Sequence, residues 1–177
     1  MQFIHDIGGG FSLGLRTLDT AEEMHQLTLR NLDRLQPWEP WAHEEQTLSG
    51  SVDFTRAQLA DFVAGTVLPA VIICGDSLIG AASVRLNSYL KTAELGYWIH
   101  ADHEGRGAVT RSCRALLEHA RKAGMLRVEI RTVADNQRST AVAKRLGFAL
   151  DGVLRAALPV GNRRMDVAVY SRLNTGG

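Results

Sequence analysis

The sequence predicts a mixed α/β fold, a mostly antiparallel central sheet of about seven strands flanked by four helices. Three observations carry that expectation. Val109, Cys113, Leu116, Leu117 and Ala120 recur at i, i+4, i+7, i+8 and i+11, which draws one apolar stripe along a helix. Short apolar or alternating runs stand at Pro69–Cys74, Leu78–Leu86, Thr92–His100 and Val128–Val133, with the lengths and periods of strands. The resulting order, β-α-α-β-β-β-α-β-α-β-β, lacks the regular βαβ alternation of an all-parallel sheet.

Each element has its own local reason. Gly8-Gly9-Gly10 reads as a flexible start or a turn, so residues 1–10 are expected to be flexible. Phe11, Leu13 and Leu15 then alternate as a first strand. Thr20-Ala21-Glu22-Glu23 matches a capping box, with Thr20 as N-cap, and Met24, Leu27, Leu32 and Leu35 continue a helix from about Thr20 to Leu35. Pro37 and Pro40 end it and bracket a loop holding Trp38 and Trp41. A second helix is expected over Val52–Ala64, with Leu59, Phe62 and Val63 on one face and Gly65 as its stop. Gly75-Asp76 suits a hairpin turn between the strands Pro69–Cys74 and Leu78–Leu86. The striped helix runs from Gly107 to about Gly124, and another covers about Ser139–Leu146, closed by Gly147. Val153–Leu158 and Met165–Leu173 supply the last strands, turned at Gly161-Asn162-Arg163. With no linker, repeat or low-complexity segment, residues 1–177 read as a single domain.

Composition narrows the function classes. A chain of 177 residues with 45% apolar content can build a core. A net charge of +1 gives no reason to expect nucleic acid or an anionic membrane as partner. The two cysteines, Cys74 and Cys113, lie in apolar surroundings outside any CxxC or Cys/His spacing, so both are expected in the core of a cytoplasmic protein. Met1–Asp6 has no basic region followed by a long apolar run, so no signal peptide is expected, and no run approaches the ~18 apolar residues of a membrane helix. His5, His25, His103 and His119 show no ligand spacing and read as surface or packing residues, so no metal is expected.

The chemistry begins at the turn Glu104-Gly105-Arg106-Gly107-Ala108-Val109. A helix N-terminus leaves backbone N–H groups without partners and carries partial positive charge, and glycines ahead of it let those groups converge on an anion. Arg106 can add charge from the rim; a plain strand-to-helix turn would use the same glycines. Thr110 stands where a dinucleotide fingerprint needs a third Gly or Ala, and no Gly-Lys-Ser/Thr is present, which argues against NAD and ATP.

Glu94-Leu95-Gly96-Tyr97-Trp98-Ile99, then Glu104-Gly105-Arg106-Gly107-Ala108-Val109-Thr110, then Asn136-Gln137-Arg138-Ser139 ahead of Leu146-Gly147-Phe148 together resemble the GCN5-related N-acetyltransferase superfamily. The nearest branch in pattern is the bacterial ribosomal-protein alanine/serine N-acetyltransferases, and the resemblance includes the Trp38-Glu39-Pro40-Trp41 loop. It implies the acyl-CoA N-acyltransferase fold and transfer of acetyl from acetyl-CoA to an amine, with no metal. Glu104 stands where the family signature has Gln or Arg, and Val109 where it has Gly or Ala, while Gly107 holds the glycine between them. By the resemblance the pyrophosphate lies on Glu104–Thr110. Pantetheine lies in a gap opened by a bulge in the preceding strand, lined by Trp98, Ile99 and His100 and touched by Asn136.

Acetyl transfer needs an amine that loses a proton and a thiolate that gains one. Ser139 is the candidate acid by the resemblance, with helix capping or a water as the alternative; Ala143 occupies the place of the Tyr acid many relatives use. The base stays open: Leu158 sits where related enzymes have an acidic residue, leaving Glu94, His43, Glu44, Glu45 or water. Tyr97 and Trp98 also read more simply as the two faces of a strand. By the resemblance Trp38 and Trp41 help form the acceptor site; the alternative is a loop tucked over the core by its two tryptophans. The expected partners are acetyl-CoA, an amine such as a protein N-terminus, and a second copy in a homodimer. Two other readings remain open, acetylation of a small amine and a non-catalytic acyl-CoA-binding domain.

Overall fold

The structure, a computed structural model, describes residues 4–174. Within them the strands are β1 (Ile4–Gly8), β2 (Phe11–Leu15), β3 (Val67–Cys74), β4 (Ser77–Asn87), β5 (Thr92–Ile99), β6 (Arg127–Val133), β7 (Ala149–Val160) and β8 (Arg163–Leu173). The helices are α1 (Ala21–Leu35), α2 (Leu48–Val63), α3 (Ala108–Lys122) and α4 (Gln137–Arg145). The strands form one eight-stranded sheet in the order β1-β2-β3-β4-β5-β6-β8-β7. Every neighbouring pair is antiparallel except β5 and β6.

The extra strand is β1. The triple glycine is its hairpin turn, with positive φ at Gly8, Gly9 and Gly10 and the Gly8 N–H donating to Asp6 Oδ1 at 2.7 Å. Ile4, His5 and Asp6 are all exposed on this sheet edge, so the strand carries no apolar alternation. Residues 1–3 of the segment expected to be flexible lie outside the described residues.

The helix starts also differ from expectation. Thr20 Oγ1 turns back to Thr17, accepting its N–H at 3.1 Å and donating to its carbonyl at 2.8 Å. Glu23 accepts the Leu78 N–H at 2.9 Å, tying α1 to β4 instead of closing a capping box. α2 begins at Leu48, where Thr47 Oγ1 accepts the Gly50 N–H at 3.0 Å. Its buried residues are Thr55 and Gln58, while Phe62 and Val63 are exposed, so the expected apolar face is not the one it packs.

The sheet is covered on both faces. Val71, Ile73 and Leu78 pack with Met24 and Leu27 of α1. Ile72, Val84, Leu95, Val128 and Ile130 pack with Cys113, Leu116 and Leu117 of α3 and Val142 and Ala143 of α4. Burial on both faces is why β3 reads as an unbroken apolar run. Cys113 is fully buried, and burial raises its thiol pKa; Cys74 is half-buried against the same core, and both are free thiols.

The feature that positions the site is a split. β5 stays paired with β4 from Thr92 to Ile99, but with β6 only from Thr92↔Arg127 to Leu95↔Ile130. Beyond Leu95 the two strands diverge, while β6 continues against β8 to Val133. No register shift interrupts β5 against β4, so the split occurs without the expected bulge in β5.

Candidate active site

Two helix N-termini stand at the mouth of this split. α3 is capped by Gly107, whose φ of 83° lies in the left-handed region, as does that of Gly105 at 73°. The first helical bond runs from the Arg111 N–H to the Gly107 carbonyl at 3.0 Å. The N–H groups of Ala108, Val109 and Thr110 ahead of it therefore have no acceptor within the helix. Asn136 caps α4 through Oδ1, which accepts the Ser139 N–H at 3.2 Å. Asn136, not Ser139, thus fills the capping role.

The Ser139 hydroxyl is engaged across the split. Its Oγ lies 2.9 Å from the Tyr97 hydroxyl, and either can donate. Burial raises the Tyr97 pKa, opposed by the Ser139 hydrogen bond, so the phenol keeps its proton. Sequence reasoning assigns Tyr97 no chemical role. Its partner lies 42 residues away, so no local pattern could link them. Ala143 is buried in the core, so the phenol reaches Ser139 from β5 instead of from α4.

A cleft of about 810 Å³ fills the split, lined by residues of α1, β5, β6, α3, α4, β7 and β8. Trp38, Glu94, Trp98, Ile99, Glu104, Gly105, Gly107, Ala108, Val109, Thr110, Asn136 and Ser139, all expected at the site, line it, as does Leu158. Others point elsewhere. Arg106 lies over the Phe11 ring, 5.5 Å from its centroid, with Nη1 3.1 Å from His103 Nδ1. His100 Nδ1 accepts the Asp102 N–H at 3.1 Å, so its ring caps a short turn and does not line the cleft. His43 Nε2 contacts the Gln36 carbonyl at 2.8 Å and its ring packs against Gly161, outside the cleft. Glu104, exceptional at its position in the signature, bridges Arg34 at 2.5 Å and Arg138 at 3.1 Å.

A second cavity of about 440 Å³ lies on the α1–α2 side of β5 and contains Trp41, Glu44, Glu45, Phe54 and Arg16. Arg16 Nε donates to Thr55 Oγ1 at 3.0 Å, and burial lowers its pKa to about 10. Strand alternation explains the division: Tyr97 and Ile99 pack toward the α3 core, while Trp98 packs toward α1. Glu39, Gly96, Tyr97 and Trp98 line both cavities.

The arrangement suits a long anionic thioester. Free helix N–H groups stand at one end of the cleft, strand edges without partners along its length, and paired hydroxyls at Ser139 within it. The sequence matches the family described as "Acetyltransferase (GNAT) domain" over residues 12–149, and the chain belongs to that family. It is 32% identical over 155 residues to the ribosomal-protein-serine acetyltransferase of Escherichia coli (strain K12), covering 86% of this chain and 87% of the relative. Its structure resembles RimL, a ribosomal L7/L12 alpha-N-protein acetyltransferase solved with coenzyme A, at a TM-score of 0.92 and 26% identity, covering 97% of this chain and 98% of that one. It also resembles the microcin C7 self-immunity acetyltransferase MccE, solved with acetyl-CoA and AMP, at 0.89 and 28%, covering 94% of each chain. The protein is an acetyl-CoA-dependent N-acetyltransferase.

Proposed function

We propose that the acceptor is the N-terminal α-amine of a protein such as a ribosomal protein. The observation that carries this reading is the separate cavity on the far side of β5, which meets the cofactor cleft, among the described residues, only at Glu39, Gly96, Tyr97 and Trp98. A chain terminus can reach that seam while the rest of its protein stays outside. An α-amine has a pKa near 8 and is easier to deprotonate than a lysine. The relatives named for ribosomal-protein acetylation support the same acceptor class.

Acetyl-CoA supplies an electrophilic thioester carbonyl and a thiolate leaving group. In this reading the N–H groups of Ala108, Val109 and Thr110 hold its pyrophosphate, and the edge of β5 at Trp98 and Ile99 with Asn136 aligns its pantetheine arm. Ser139, oriented by Tyr97, protonates the sulfur. Trp38 and Trp41 wall the acceptor path, and Glu94 is the base that the sequence alone favours. β7 and β8 extend past the matched residues 12–149 yet contribute Leu154, Leu158 and Val167 to the cleft, so residues 1–177 act as one domain. The free thiols fit a cytoplasmic location, and no helix among the described residues is long and apolar enough to cross a membrane. Two copies pair through the edge strand β7, where Leu150, Val153 and Leu154 are exposed.

A second reading, acetylation of a small amine, draws on the aromatic walls of the second cavity, Trp41, Phe54 and Trp98, and on the AMP bound by MccE. Thiol release from acetyl-CoA, measured with N-terminal peptides and with small amines, separates the two. Turnover with small amines and none with peptides would sink the protein acceptor.

A further inference from the structure

Leu158 leaves the cleft without the carboxylate that the resemblance leads one to expect, yet a partly charged amine must lose a proton before it attacks. We propose that Glu39 is the general base, an assignment that rests on the acetyltransferase reading above. Glu39 lies in the loop between α1 and α2 and is, among the described residues, the only carboxylate lining both cavities. It therefore stands where an amine entering from one side meets a thioester lying in the other.

The remaining carboxylates are less well placed. Glu44 and Glu45 line the second cavity alone and are exposed. Glu94 lines only the cleft, on the stretch of β5 still paired with β6, opposite Glu129. Glu104 is occupied by Arg34 and Arg138.

The loop holds Glu39 in a definite orientation. Trp41 Nε1 donates to Glu39 Oε2 at 3.0 Å, which leaves Oε1 without a protein partner among the described residues. Burial raises the pKa of Glu39, and the Trp41 bond opposes the rise. Arg16, His25, Glu44 and Glu45 are the other charged or titratable groups in the wall of the acceptor cavity, and Arg34, Glu94, His103, Glu104, Arg131, Arg138 and Arg145 those in the wall of the cofactor cleft. None of them is among the causes of the shift. A desolvated carboxylate with a raised pKa is a stronger base than one in water.

Glu39 takes one proton from the acceptor ammonium and passes it to solvent. The freed amine forms a C–N bond to the thioester carbonyl carbon, and the C–S bond breaks. The sulfur takes the Ser139 hydroxyl proton, and Ser139 recovers the proton that the nitrogen sheds on becoming an amide. No further reactant is needed.

Glu39→Gln preserves the acceptor for Trp41 and removes only the base. In the full-length protein this variant is expected to lose about 100-fold or more in kcat, with the acetyl-CoA KM within about twofold, since KM reports binding the variant leaves intact. The part of the acidic limb of its kcat/KM profile that reports Glu39 should disappear, leaving only the rise that follows the acceptor's own free-amine fraction. Trp41→Phe removes a bond that lowers the Glu39 pKa, so its acidic limb should move to higher pH. Without acetyl-CoA, the NMR resonance of the Trp41 indole N–H should titrate above the usual carboxylate range in the wild type and stay flat in Glu39→Gln. If Glu39→Gln does not fold, Glu39→Asp, with its carboxylate drawn back, should lose kcat while keeping an acidic limb. Near-wild-type kcat in Glu39→Gln or Glu39→Asp, or an acidic limb untouched by Trp41→Phe, overturns the assignment. No turnover by the wild type with any amine overturns both this assignment and the acceptor reading.

Discussion

At Gly107, backbone conformation and charge can be tested separately against the proposed pyrophosphate placement. Its φ of 83° strains any residue with a Cβ, by about 1–2 kcal/mol. Its surroundings are open: a Cβ added there would meet only Arg111 Nε, at 4.0 Å. Gly107→Ala therefore tests strain alone, while Gly107→Glu adds a carboxylate beside the proposed pyrophosphate position. Calorimetry should find acetyl-CoA affinity lost by on the order of 100-fold or more in the Glu variant and far less in the Ala variant. Equal affinities would refute the pyrophosphate placement. Ser139 is separable from helix stability in the same way, because Asn136 does the capping. Ser139→Ala should reduce kcat by about 10- to 100-fold with little change in Tm or acetyl-CoA binding. A fall in Tm with unchanged kcat would return Ser139 to a structural role.

Among the elements, β5 does the most to shape the site. Its N-terminal half is an inner strand between β4 and β6, and its C-terminal half is a strand with one free edge. Gly80 of β4 secures that half from behind: a Cβ there would lie 2.3 Å from the Trp98 carbonyl oxygen and 3.0 Å from Ile99 Cα. Those are backbone atoms, so no side-chain rotation can relieve the clash. Gly80→Ala is expected to destabilise the fold by ~1–3 kcal/mol, and to lower kcat by displacing Trp98 and Ile99. Denaturant melts with parallel kinetics check this; unchanged stability and activity would mean that β4 shifts without moving β5. α2 illustrates the opposite case. Its apolar residues Phe62 and Val63 face solvent, and its packing relies on Thr55 and Gln58, which apolar patterning could not identify.

At the scale of the whole molecule, β7 and β8 close the far side of the cleft with Leu154, Leu158 and Val167. β7 is an edge strand with register shifts at Leu150/Gly152 and Leu154/Leu158, and Ala156 between the latter has a φ of 49°. Its exposed Leu150 and Val153, which do not line the cleft, are the surface of the proposed homodimer. Val153→Glu should convert a dimer to monomer in sedimentation velocity, because it sets charge into an apolar interface. A wild-type protein that sediments as a monomer removes the dimer outright.

The amino-acid sequence by itself determined the helix–strand order from β2 onward, the apolar stripe of α3, the glycine turn at Gly105–Gly107 that opens it and the Asn136-x-x-Ser139 motif. All of these arise from periodicity, or from residues close enough in the chain to share one turn or helix start. The edge strand β1 and the face of α2 were not legible, because neither follows an apolar pattern. Only the tertiary structure decided that β5 and β6 part after Leu95 and that Tyr97 meets Ser139. It alone set Glu39 between two cavities. Each of these depends on elements distant in the chain being brought together, and on burial, which changes what a carboxylate or a phenol can do and leaves no mark in local sequence.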